Sequence, residues 1–231
     1  MIKAGIDQDA IIKMFSEGTA KQGEALRSAV SDATLKALQG RELTLANIKT
    51  VLISVTSAAT AGAAKNVASP VDIEGMLGKA IAGMDGALLQ AVEANRKALQ
   101  QFVDQGANLQ EKQLKGALAN LEKMEDTLFA SVTKAVEGAN NLPLKGPWDQ
   151  VLGALKTKGS DTGASATQTV QDLAAQTQTA LRTGRASSAK AAQAMLDGYA
   201  ALVSGVLIGM SQGLQTGGVR PRAGAAKSKN K

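Results

Sequence analysis

The stretch from Ser69 to Ala139 constrains this chain more than any other. Ser69, Pro70 and Asp72 form a helix start, and nothing able to stop a helix is read until Asn140, Asn141, Leu142 and Pro143. Its apolar positions are Leu88, Val92, Leu99, Phe102, Val103, Leu109, Leu114, Leu118, Leu121, Leu128, Val132 and Val136, and most follow one another by three or four residues. That interval keeps side chains on one side of a 3.6-residue spiral. The spacing therefore predicts one long central helix, about 100 Å from end to end at a rise of about 1.5 Å per residue, and an elongated molecule. Glu93 stands four before Lys97 and Glu111 four before Lys115, an order that favours helical ion pairs worth about 0.2 to 0.5 kcal/mol each.

A chain of 231 residues has room for one or two domains. Hydrophobic residues make up 44%, but aromatics only 2%, so alanine fills much of the apolar share. Burial returns about 25 cal/mol per Å², which makes small side chains weak contributors one by one. Long helices of this composition gain stability from contact length or self-association, and a homo-oligomer is expected.

Cysteine and histidine are absent. Disulfides, thiolate or imidazole metal ligands, the thiol nucleophile and the side chain that titrates near neutrality are thereby excluded. The opening residues, Met1 to Asp7, place an acid where a signal peptide has its apolar core. A reducing compartment, the cytoplasm, is expected. The formal charge of +6 is concentrated at the end: Arg220, Arg222, Lys227, Lys229 and Lys231 follow Asp197, the last acidic side chain.

Read in order, Gln8 to Gln39 forms a first helical region with Ile11, Ile12, Phe15, Leu26, Val30, Leu35 and Leu38 as its apolar set. Gly18 and Gly23 weaken it and allow two shorter pieces; Gly40 is placed to end it. Thr44 then caps a second helix whose Leu45, Ile48, Leu52, Val55 and Ala59 make a one-sided stripe. The β-branched run Val51, Ile53, Val55 and Thr56 also permits a strand, but the stripe and the Ala-rich continuation to Ala68 favour helix. Residues 1–139 form an N-terminal helical region on this reading. Residues 140–163 are a Pro/Gly linker holding a short helix, Trp148 to Lys158, and a loop, Gly159 to Gly163.

A second long helix is expected from Ala164 to about Gln215, within a segment 164–216. Its small and apolar residues recur every eleven positions: Ala166, Val170, Leu173; Thr177, Leu181, Gly184; Ser188, Ala192, Met195; Tyr199, Val203, Val206; Met210, Leu214. Eleven residues in three turns keep such a face nearly straight. It suits an extended apolar surface; the weightier reading is a long bundle helix packed against the central one, since amphipathic helices usually bury their stripe in their own protein. Tyr199 to Met210 carries no charge but is too short to span a bilayer, which takes about 20 apolar residues. Gly205, Gly209 and Gly213 repeat at every fourth position and permit close helix packing. Residues 217–231, with Val219 as their one large apolar residue, are expected to be a disordered basic tail. The tail can make weak, nonspecific, salt-sensitive contacts with nucleic acid, or simply solvate.

The search for chemistry yields little. Glu122, Glu125 and Asp126 can share a helix edge, which reads as a solvated charged face. Gly75-Met76-Leu77-Gly78 and Gly83-Met84-Asp85-Gly86 lack the Lys-Ser/Thr ending of a phosphate loop. No catalytic residue, cofactor or metal site is assigned, and a non-enzymatic protein is expected.

Two resemblances can be stated. Long Ala/Gln/Leu/Lys helices, the eleven-residue stripe ending in Tyr199-Ala200-Ala201-Leu202-Val203-Ser204-Gly205-Val206-Leu207 and a Lys/Ala tail resemble bacterial phasins and related polyhydroxyalkanoate granule-associated proteins. That likeness implies a coat protein that adsorbs to a hydrophobic granule through Leu181, Met195, Tyr199, Val203, Val206 and Met210, and self-associates. Separately, Arg27 to Leu38, followed by Leu43 to Ile48, resembles the opening block of an uncharacterised family of bacterial helical proteins. This second likeness implies no activity.

Overall fold

The computed structural model describes residues 6–39, 43–104, 111–138 and 144–182. These fold into α1 (Gln8–Glu17), a 3-10 turn (Ala20–Gln22), α2 (Gly23–Gln39), α3 (Leu45–Ala63), α4 (Pro70–Asp104), α5 (Glu111–Gly138), α6 (Lys145–Lys158) and α7 (Asp161–Arg182). Among the described residues there is no strand. The protein is all-α, a bundle of long amphipathic helices; the tail lies outside the described residues.

Local signals account for three of the helix starts. The Asp7 carboxylate accepts from Ala10 N at 3.0 Å, Thr44 Oγ1 from Asn47 N at 3.2 Å, and Ser69 Oγ from Asp72 N at 3.3 Å. Each satisfies one of the amides that the first turn of a helix leaves unpaired. The first helical region is two pieces: Gly18 ends α1, and Gly23 opens α2 buried against the stem of Lys79. α3 buries Ile48, Val51, Leu52, Val55 and Ala59, which is the helical period, so its β-branched residues serve a helix core. It ends at Ala63 because Asn66 turns back: its Nδ2 donates to Phe15 O at 2.7 Å and Gly18 O at 3.0 Å, satisfying carbonyls at the end of α1.

The expected single helix over 69–139 is two helices, α4 and α5, that do not lie along one line. Asp85 of α4 and Glu125 of α5 stand forty residues apart, about 60 Å along a continuous helix. Yet Ser160 N donates to Glu125 Oε1 at 2.9 Å while the next amide, Asp161 N, donates to Asp85 Oδ2 at 2.8 Å. α4 and α5 therefore cannot be parts of one straight helix. α5 packs on α3 while α4 packs on α2.

Directions within the bundle follow from named contacts. Gly23 meets Lys79, and Gly83 meets Arg27, Val30 and Ser31, so α2 and α4 run parallel. Gly62 meets Ile12 and Phe15 while Asn66 reaches Gly18, so α1 and α3 run parallel. One core cluster draws on all seven helices, from Ile11 and Phe15 through Met76, Met84, Leu88 and Leu128 to Trp148 and Leu173. Alanines 80, 87, 91, 94 and 98 of α4 are fully buried, and their short side chains let neighbouring helices approach closely. Thr34 and Thr60 are buried as well, and each hydroxyl donates to the carbonyl four residues earlier, both at 2.7 Å.

Among the ion pairs, Glu93 pairs with Arg96 at 3.0 Å (Nε to Oε2), three residues on, in place of the expected Lys97. The Glu111–Lys115 pair lies among side chains outside those described, as does Gly40. Lys79 bridges α4 to Glu24 of α2.

Candidate functional site

The strongest polar constellation lies at the start of α7. Four successive amides there have partners supplied in three different ways. Ser160 N and Oγ donate to Glu125 Oε1, at 2.9 and 2.7 Å. Asp161 N and Thr162 N donate to the two oxygens of Asp85, at 2.8 and 3.1 Å. Gly163 N donates to Ser160 Oγ at 2.9 Å, the usual N-cap bond. Thr162 Oγ1 adds a bond to Asp85 O at 3.0 Å. Negative charge at a helix N-terminus is favoured by the aligned peptide dipoles, and the carboxylates of α4 and α5 provide it in trans.

The sequence reading misses this cluster in three places. The expected loop Gly159 to Gly163 is only Gly159 and Ser160, since α7 begins at Asp161. Glu125, read as part of a solvated face, is half-buried and turned onto Ser160, whereas Glu122 and Asp126 are exposed. Asp85, within a glycine-rich passage that held no phosphate signature, is only 6% exposed. Gly163 belongs to the same device, because a Cβ there would run into the Glu125 carboxylate. A Ser-Asp-Thr-Gly run just before the apolar stripe is a capping signal, but nothing local reveals that carboxylates 35 and 76 residues away complete it.

The apolar stripe begins on this helix. Ala166 and Leu173 are buried and Val170 half-buried in the core. These three stripe positions are therefore occupied by packing against α4 and α5, as in a bundle helix. α7 runs parallel to α4, since Asp85 meets Asp161 and Thr162 while Glu93 receives Ser165 Oγ at 3.4 Å. Measured from Asp85, α4 has nineteen residues left, a length α7 covers by about residue 180. Arg182, the last described residue of α7, thus lies about level with the last described turn of α4.

Leu181 belongs to α7, but its side chain is outside those described. Met195, Tyr199, Val203, Val206, Met210, the close-packing Gly205, Gly209 and Gly213, and the basic Arg220, Arg222, Lys227, Lys229 and Lys231 also lie outside the described residues. Among the described glycines, Gly62 and Gly83 pack closely against the backbone of a neighbouring helix, a role the sequence reading gave to neither.

One exposed pair perturbs a titration: a hydrogen bond and the charge of Lys79, with a lesser contribution from Arg27, hold the Glu24 carboxyl below its ordinary range. Among the described residues no group of three or more acidic side chains is placed to hold a metal ion, and no helix is long and apolar enough to cross a membrane. No curated protein and no solved structure matches the chain. Residues 1–216 match the profile of one protein family, described as a family of unknown function, DUF6781.

Proposed function

The chain belongs to the DUF6781 family, a family of unknown function, and on that premise we propose that it is a non-enzymatic coat protein of the phasin type. It binds an apolar granule or similar hydrophobic surface through Leu181, Met195, Tyr199, Val203, Val206 and Met210. The observation that supports this reading is the stripe in the sequence, which continues from Ala166, Val170 and Leu173 to the uncharged run Tyr199 to Met210. An uncharged, apolar run of this kind gains burial on a hydrophobic surface or a second copy. Gly205, Gly209 and Gly213 serve self-association on such a surface. The polar constellation at the start of α7 supports a structural role, since the oxygens of Asp85 and Glu125 accept backbone amides.

Val203→Asp tests the reading, because an unpaired ion moved out of water costs several kcal/mol. Adsorption to hexadecane droplets is expected to fall while urea unfolding stays unchanged. A parent protein that ignores the droplets, or a variant that binds them equally well, overturns it. Retention on DNA that disappears at high salt would instead move the function to the basic tail.

A further inference from the structure

We draw no further inference here: the strongest candidate, the surface patch formed by the exposed Val67 and Val71 where α3 turns into α4, carries nothing because nothing in the structure shows what covers it.

Discussion

Gly83 of α4 lies so close to Arg27 of α2 that a Cβ built on it would stand 2.5 Å from the Arg27 carbonyl oxygen and 2.9 Å from the Val30 Cβ. The neighbour is backbone and cannot rotate away, so a methyl group there must push the two helices apart. Gly83→Ala is expected to cost about 1–3 kcal/mol in urea unfolding. Gly62→Ala is expected to do the same against the Ile12 carbonyl. In Gly75→Ala and Gly78→Ala the new methyl group meets nothing within 4 Å, and these variants should gain about 0.5–1 kcal/mol from helix propensity. Equal effects at all four positions would contradict the parallel α2–α4 contact.

Asp85→Asn retains the shape of the side chain but leaves one carboxamide oxygen for two amides. The amide left facing an NH2 group should destabilise the protein by about 1–3 kcal/mol. Ser160→Ala removes the bonds to Gly163 N and Glu125 and should cost about 1 kcal/mol. Because the groups share one network, the double variant should lose less or more than the sum of the two, measurable as a non-zero coupling in a double-mutant cycle.

The Glu24 carboxyl offers a pH readout. Its folded-state pKa lies below the reference value of 4.5 because Lys79 binds its charged form. The contribution is therefore present above the unfolded pKa and is lost as pH falls through the folded one, in the acid range below about 4.5. Lys79→Met should raise the Glu24 midpoint in a carboxyl chemical-shift titration. An unchanged midpoint would mean that the bridge does not persist in solution.

Trp148 is fully buried and its indole Nε1–H has no hydrogen-bond partner among the described residues. Trp148→Phe keeps an aromatic ring and removes the unpaired donor, so it should cost about 1 kcal/mol or less, against about 3–5 kcal/mol for Trp148→Ala. As the only tryptophan in the chain, Trp148 should fluoresce at short wavelength when folded and shift to the red in urea.

The sequence by itself determined the helices and the faces they bury. Thr44, Ser69 and Pro70 mark helix starts, and Ile48, Leu52, Val55, Leu88, Val92, Leu128 and Val132 lie in the core they were assigned to. Those signals are legible because a cap acts over three residues and a stripe over one or two turns. Only the tertiary structure decided where the long segment breaks. Gly75, Gly78, Gly83 and Gly86 sit inside α4, whereas Gly106 and Asn108 fall between α4 and α5. A glycine costs a helix about 1 kcal/mol in either place. What separates the cases is burial: ending the helix at Asp104 lets α5 cover α3, a gain that no local window contains. The same holds for Asp85 and Glu125, whose part in capping α7 exists only once the tertiary fold has brought them together.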